Sequence, residues 1–299
     1  MIPWNKIFDL DAVAAPIRRR QIRSFGEMNQ ASVGLNRLES LRRLFGGFID
    51  VLRIRQCVTW FLGWFPVRLR ADDERVRIRC WSDMLAFAEI FRIGVYDPVF
   101  DDRPASTYCD LGCQSGFALL RLAQRAGAPQ KALLVDGNPK AVARCRENIR
   151  AAGLTEAHVV HGALGFDRVR GGGRVPFTVR PNELECSLAT TAGGGNASST
   201  IDVPAVDLEK LWVEHVGDVA CDLLKVDIEG AELGVLEHDI EFLTRVSRCV
   251  IEWHDPPASR EQVIELLKDR GFGNVIPLCG NDTSGVLYCE KVGGAAKRG

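Results

Sequence analysis

The sequence has little of what marks zinc-stabilised, secreted or membrane-spanning proteins. None of its ten cysteines forms a Cys-x-x-Cys pair, which disfavours a structural zinc site. Cys109, Cys221, Cys249 and Cys289 lie in apolar runs, where a free thiol behaves as a small buried hydrophobe. No charged start followed by a long apolar core opens the chain. We therefore expect free thiols, no signal peptide and a reducing, cytoplasmic location.

Long apolar runs are also missing. The stretch from Val58 to Val67, VTWFLGWFPV, is too short to span a bilayer. We predict that it is the buried end of a helix, with a membrane-surface or partner patch as the alternative.

Two nucleotide-binding motifs are absent as well. The loop after the apolar run at Thr107 has Gly112 and Gly116 separated by three residues, which is not the Gly-x-Gly-x-x-Gly of dinucleotide-binding proteins. No Gly-Lys-Ser/Thr follows it, so a P-loop is excluded. An NAD-dependent dehydrogenase stays open only as a weaker alternative.

The 299 residues are 46% hydrophobic and 26% charged, as in ordinary soluble globular proteins. The net charge of -1 hides an asymmetry, because residues 1–79 carry 15 Lys and Arg against 8 Asp and Glu. This excess suits an anionic partner, but a solvated arginine-rich face is the more ordinary explanation, because clustered arginines are common on helices.

Two regions differ in their hydrophobic pattern. Residues 1–105 are predicted to be helical, with one helix over 36–51, whereas residues 106–292 alternate strand-like and helical segments. That alternation predicts a mostly parallel sheet with helices on both faces. The segments NVIPLCG and GVLYCEK, near the end of the chain, predict an antiparallel hairpin at the sheet edge. Residues 166–206 interrupt the alternation and predict an excursion of short strands and loop.

The first predicted strand ends in Asp110, just before the glycine loop. A carboxylate about 4 Å from a phosphate would repel it by about 4 kcal/mol at an effective dielectric constant of about 20. S-adenosylmethionine carries a sulfonium and an ammonium but no phosphate, so this acid favours it. Asp136 ends the next strand and is placed to accept both ribose hydroxyls.

A second group of polar residues follows two later strands. Lys225 and Asp227 are costly in a buried strand unless they are paired or lie at its mouth. Because side chains alternate along a strand, Lys225, Asp227 and Glu229 lie on one side of their strand. Glu252 and His254 likewise share one side of the following strand. We expect these residues near the reacting methyl group. Asp227, Glu229, Glu252, His254 and Asp255 could also bind Mg²⁺, but a cationic cofactor is favoured over a metal.

Six segments carry a resemblance to a known family. They are DLGCQSGF, LLVDGNPKAVARCRENI, VVHGALG, VPAVDL, DLLKVDIEGAELGVLE and VIEWH. Thr107 to Glu290 thus resembles the FkbM-type methyltransferases, which are similar to class I S-adenosylmethionine-dependent O-methyltransferases. The chain departs from the family where Gly112-Cys113-Gln114-Ser115-Gly116 replaces Gly-Ala-Asn-x-Gly and where Asp136-Gly137 replaces Glu-Pro.

The resemblance implies a Rossmann-like class I methyltransferase domain over 106–292, with S-adenosylmethionine as cofactor and methyl transfer to a hydroxyl of a sugar, polyketide or related metabolite. The implied cofactor-binding residues are Asp110, Gly112, Cys113, Gln114, Gly116, Phe117, Asp136, Gly137, Asn138, Gly162, Ala163 and Asp227. We expect Asp227 to line the site and Glu229 or His254 to act as the base.

Two other functions stay open. Asp255-Pro256-Pro257 is similar to the Asp-Pro-Pro-aromatic loop of enzymes that methylate amino groups of nucleic-acid bases, but it follows the fifth strand and Ala258 replaces the aromatic residue. A non-catalytic scaffold is the other alternative, because the glycine loop is altered. We expect the basic residues 1–105 to shape an acceptor pocket, suiting phosphate-bearing or carrier-bound acceptors, or to mediate a homodimer.

Overall fold

A computed structural model describes residues 54–71, 74–164, 173–180, 186–188 and 199–292. The helix predicted over 36–51 lies outside the described residues. The described chain divides into two compact units. One holds the residues up to Pro98 with Leu278–Asn281, and the other holds Val99–Pro277 and the residues from Asp282 onward. Among the described residues, no helix is both long and apolar enough to cross a membrane.

The first unit begins with helix α1 (Ile54–Trp64) and a two-stranded antiparallel ribbon, β1 (Val67–Ala71) and β2 (Glu74–Ile78). Helix α2 (Trp81–Phe87) and a π-helical turn (Ala88–Ile93) follow. The ribbon corrects the all-helical prediction for residues 1–105. Its sequence, VRLRADDERVRI, alternates apolar and charged residues with the period of a strand.

The apolar stretch on α1 is exposed, which corrects its prediction as a buried helix end. Trp60 and Trp64 are 67% and 70% exposed, while Leu62 is buried. At 100° per residue, Leu62 faces away from the side shared by the two tryptophans, so one face of the helix carries the aromatic rings.

The second unit is built on a seven-stranded sheet, in the order β12-β13-β11-β10-β3-β4-β5. The strands are β3 (Thr107–Leu111), β4 (Lys131–Asp136), β5 (Ala157–His161), β10 (Leu223–Val226), β11 (Arg248–His254), β12 (Phe272–Gly280) and β13 (Ser284–Lys291). The five strands from β11 to β5 pair in parallel, and β13 pairs antiparallel with β11. In chain order the sheet thus reads 3-2-1-4-5-7-6, which confirms the predicted mostly parallel sheet with an antiparallel edge.

Helices cover both faces of this sheet. They are α3 (Asp97–Asp102), α4 (Phe117–Ala126), α5 (Pro139–Ala151), α6 (Leu208–His215), α7 (Glu232–His238), α8 (Ile240–Arg245) and α9 (Arg260–Asp269). The last four contribute to one apolar core with the strands, centred on the fully buried Trp212 and Phe242. α5 packs against β4 and β5 without joining that core.

Local sequence explains where these helices start. Asn138 caps α5 by accepting a hydrogen bond from the Lys140 backbone N–H, and Pro139 takes the first helical position. Ser259 and Gln262 form a capping box at the start of α9.

The excursion between β5 and α6 contains short strands, as predicted, and they form a small second sheet in the order β6-β9-β7-β8. Its strands are β6 (Ala163–Leu164), β7 (Arg174–Val179), β8 (Ser187–Leu188) and β9 (Ser199–Val206). Phe177, Cys186 and Val203 belong to its own small core. This sheet continues directly from the end of β5, so it lies beside the ends of the parallel strands.

Candidate active site

A cavity opens where β3, β4, β5 and β10 end. This is the carboxyl edge of the parallel sheet, where open α/β sheets bind ligands. Eight of the residues predicted for the site line it. They are Gly112, Gln114, Asp136, Gly137, Gly162, Ala163, Asp227 and Glu229.

Gly112 brings two strand ends into close contact. A Cβ built on it would lie 1.7 Å from the Asp227 carbonyl oxygen, and its φ is +80°. Its backbone N–H donates to the Val135 carbonyl at 2.9 Å, and the Asp227 N–H donates to the Leu111 carbonyl at 2.9 Å. Glycine is therefore required here both by conformation and by the neighbouring backbone.

Asp136 is fixed by the loop that faces it. Its two carboxylate oxygens accept from the backbone N–H groups of Gln114 at 2.8 Å and of Asn138 at 2.7 Å. Burial raises the pKa of Asp136 to about 6, although both hydrogen bonds oppose this shift. A carboxylate has further lone pairs, so Asp136 can still accept ligand hydroxyls from the cavity it lines.

Asp110 does not have the role that sequence reasoning gave it. It lies opposite Lys225 in the pairing of β3 with β10, it is fully buried, and its Oδ1 lies 3.2 Å from Lys225 Nζ. Tyr108 donates to its other oxygen at 3.2 Å. Because the side chain points to the next strand rather than into the cavity, Asp110 does not present its charge to a cofactor there.

Lys225 joins Asp110 to the cavity. Its Nζ also lies 3.2 Å from Asp227 Oδ2, and the ammonium is almost fully buried. Burial alone would lower the pKa of Lys225, but Asp110 and Asp227 outweigh it and raise that pKa above its ordinary value. Of the two arrangements that the sequence allowed, pairing or a place at the strand's mouth, Lys225 and Asp227 are paired. Asp227 is the member of this network that lines the cavity.

Six of the predicted residues do not line this cavity. They are Asp110, Cys113, Gly116, Phe117, Asn138 and His254. Cys113 and Phe117 are buried, and Gly116, with a φ of +77°, precedes α4. Asn138 serves as the helix cap described above.

Sequence reasoning missed seven lining residues. They are Leu111, Val135, Leu164, Phe177, Cys186, Ile228 and Ala231. Phe177 and Cys186 come from the small second sheet, and a Cβ at Gly137 would approach the Phe177 ring to 2.5 Å. The apolar ends of the strands could have been found from the strand pattern, but the position of the second sheet has no local signal in the sequence.

His254, at the end of β11, is surrounded by carboxylates. Its Nδ1 lies 3.1 Å from Glu232 Oε1, and its Nε2 lies 3.5 Å from Glu229 Oε2 and 3.7 Å from Glu252 Oε1. Burial would lower the pKa of His254, but the hydrogen bond with Glu232 and the charges of Glu229 and Glu252 raise it to about 11. A raised pKa favours the protonated imidazole, which is not the form that accepts a proton as a base.

Comparison with known proteins identifies the domain. Residues 129–273 match the model of the methyltransferase FkbM domain. The chain carries an FkbM methyltransferase domain. This confirms the resemblance to the FkbM-type methyltransferases found in the sequence.

One curated relative is also a methyltransferase. The methyltransferase sdnD of Sordaria araneosa is 50% identical to this chain over 52 residues, which is 17% of this chain. The matched segment spans 20% of that protein's length.

Solved structures resemble the chain at low identity. TrmK of M. capricolum, in complex with S-adenosylhomocysteine, is 12% identical with a TM-score of 0.40, and the match covers 66% of this chain and 67% of that chain. The riboflavin-derivative dimethyltransferase RosA of Streptomyces davawensis is 15% identical with a TM-score of 0.40, over 71% of this chain and 56% of that chain.

Proposed function

We propose that this methyltransferase transfers the methyl group of S-adenosylmethionine to a hydroxyl of a sugar, polyketide or related small molecule in natural-product biosynthesis. The observation that carries this proposal is the position of two carboxylates, Asp227 and Glu229, on the same cavity as Gly112 and Asp136. A hydroxyl must lose its proton as it attacks the methyl carbon, and a carboxylate within reach can accept that proton.

In this proposal the cofactor lies against the ends of β3, β4 and β5, with its ribose at Asp136. Asp227 then faces the positively charged sulfur and amino acid part of the cofactor. Positioning the methyl group in line with the attacking oxygen contributes about 7–11 kcal/mol in well-oriented reactions, so most of the acceleration would come from this alignment.

Glu229 is the better candidate for the base. It lines the cavity, and its φ of +53° sets it in a turn completed by Gly230. His254 does not line the cavity, and both of its ring nitrogens face carboxylate oxygens, which only accept protons. We therefore assign proton transfer to Glu229, and to His254 the task of holding the surrounding carboxylates in place.

Residues 106–292 would form the catalytic domain in this scheme, and residues 1–105 would contribute to acceptor binding or to a homodimer. Transfer to an amino group is the alternative function. The sheet order disfavours a dinucleotide-binding dehydrogenase, because the usual order of those sheets is 3-2-1-4-5-6, with no antiparallel strand between the fifth and sixth strands.

The test uses the purified full-length chain and S-adenosylmethionine labelled in its methyl group, offered with matched panels of hydroxylated and amino acceptors. S-adenosylhomocysteine, and not NADH, should raise the melting temperature. On a hydroxylated acceptor that is turned over, Glu229→Gln should lower kcat by about 10²–10⁴-fold with an unchanged cofactor Kd.

Glu237→Gln, at an exposed carboxylate on α7, is the matched control and should leave kcat unchanged. Labelling of amino acceptors alone would overturn the proposal of a hydroxyl acceptor. A wild-type kcat in Glu229→Gln would remove this residue as the base.

A further inference from the structure

The exposed aromatic side chains lie together at the end of α1. Among the residues that the structure describes, every Trp, Phe or Tyr that stays exposed belongs to this group, which consists of Trp60, Phe61, Trp64 and Phe65. The ring centroids of Trp60 and Trp64 are 6.4 Å apart, and those of Phe61 and Phe65 are 5.3 Å apart. Exposed apolar side chains gathered in this way mark an interaction surface.

The opposite side of α1 attaches the helix to its own unit. Leu62 is buried, and Thr59 Oγ1 accepts a hydrogen bond from the Trp81 backbone N–H at 3.2 Å, where α2 begins. The aromatic side is therefore not the side that holds α1 in place, and its exposure has to be explained by a contact of another kind.

The ribbon that follows α1 carries positive charge in an unfavourable arrangement. Its register pairs Arg68 with Arg77 and Arg70 with Arg75, and like charges directly opposite each other on two strands are destabilising. The sequence from 54 to 79 has six arginines and three acids, and all three acids stand at 72–74, at the end of the ribbon away from α1. An anionic partner would offset this repulsion.

We propose that this part of the chain docks on the surface of an anionic lipid bilayer. The aromatic rings would enter the boundary between headgroups and acyl chains, and the arginines would contact lipid phosphates. Trp and Phe on one side of a helix, with arginine beside them, is the composition of segments that lie in this interface. We call the docking residues the aromatic–arginine surface; they are Trp60, Phe61, Trp64, Phe65, Arg68 and Arg77.

The same observations disfavour two other occupants. A second copy of the chain, docked through the same surface by a two-fold axis, would bring the arginines of one copy toward those of the other. Single-stranded nucleic acid binds by stacking successive bases on aromatic rings, but here the rings already contact each other in pairs and leave no gap for a base between them. A bilayer accepts the contiguous rings and the arginines together, and this docking does not depend on which acceptor is methylated.

The test measures binding of the purified full-length chain to vesicles of phosphatidylcholine alone and of phosphatidylcholine mixed with phosphatidylglycerol. We expect binding to the anionic vesicles that weakens as salt is added, and quenching of tryptophan fluorescence by lipids with brominated acyl chains. Trp60→Ser and Trp64→Ser should each weaken binding by about tenfold or more, and Arg68→Gln by about fivefold.

Matched controls lie elsewhere on the surface. Ile240→Ser, at an exposed apolar residue on α8, and Arg150→Gln, at an exposed arginine on α5, should bind the anionic vesicles as the wild type does. Circular dichroism identifies any variant that fails to fold, and Arg68→Gln, at an exposed side chain, is then the deciding variant.

Three results would overturn the proposal. The first is no binding to anionic vesicles, or equal binding by the wild type and by Trp60→Ser, Trp64→Ser and Arg68→Gln. The second is retention on single-stranded RNA, without vesicle binding, that the tryptophan variants lose. The third is a dimer, measured by light scattering, that the tryptophan variants dissociate while vesicles bind neither form.

Discussion

The two sides of the cavity differ in what shapes them. At the ends of β3 and β4 the contacts are made by backbone groups, since Gly112 touches the Asp227 carbonyl and Asp136 is held by two N–H groups. At the end of β10, and behind it at the end of β11, the contacts are made by charged side chains. Lys225 and His254, which do not line the cavity themselves, each lie between carboxylates. The first side therefore depends on the absence of a Cβ, and the second on the balance of charge.

The charged side should give the largest loss when its balance is broken. Lys225→Met keeps the side-chain volume but leaves Asp110 buried without its cation, so we expect the free energy of unfolding to fall by about 3–5 kcal/mol. Urea denaturation measures this loss. Lys210→Met, at an exposed lysine on α6, should change stability by less than about 0.5 kcal/mol.

A double variant separates charge from packing. Asp110→Asn with Lys225→Met removes both buried charges, so it should recover part of the stability that Lys225→Met loses. If the losses of the two single variants simply add in the double variant, the two side chains are not coupled. The ion pair would then not be the cause of the stability that Lys225→Met loses.

The glycine-shaped side should give the next largest loss. Gly112→Ala places a Cβ against the Asp227 carbonyl and enforces a positive φ on alanine, so we expect a loss of about 2–4 kcal/mol together with weaker binding of S-adenosylhomocysteine. Thermal unfolding and calorimetric titration measure the two effects.

Gly153 offers the matched control for conformation. Its φ is +71°, but a Cβ there has nothing within 4 Å, so Gly153→Ala should cost only about 1 kcal/mol and leave binding unchanged. Equal losses in the two alanine variants would mean that the positive φ, and not the contact with Asp227, makes glycine necessary at position 112.

The same difference explains what the sequence could predict. The glycine loop and the strand-end acids are local patterns, so Gly112, Asp136 and Asp227 were found at the cavity from the sequence. The partner of Asp110 depends on the register between β3 and β10, which are separated by more than 100 residues, and no local pattern shows it.

Glu232 illustrates the same limit. In the sequence it reads as an acid at the start of a helix, where acids commonly stabilise the helix dipole. Its contact with His254 requires β11 to lie beside β10, so the role of Glu232 in fixing the imidazole follows only from the folded chain.

The smallest predicted effect concerns Asp136 and the pH dependence of stability. Its pKa in the folded protein, about 6, is above the ordinary value of 3.8 because of burial, and Asp110 raises it further while Arg144 lowers it. Between these two pH values the folded chain holds a proton that the unfolded chain has lost. Wild-type stability should therefore fall, relative to Asp136→Asn, by up to about 3 kcal/mol as the pH rises from about 4 to about 6, and stay constant above that.

Urea denaturation of the wild type and of Asp136→Asn across this pH range, without cofactor, measures the difference between their free energies of unfolding. Contributions from groups that titrate alike in both proteins cancel in this difference. Parallel stability curves would show that Asp136 has an ordinary pKa and that its two backbone hydrogen bonds outweigh its burial. The glycine-shaped side would then carry no electrostatic cost before ligand binds, and the contrast with the charged side would be complete. A falling difference would instead show that both sides keep a carboxylate at some expense in stability, and that Asp136 is held where it can accept the hydroxyls of a ligand.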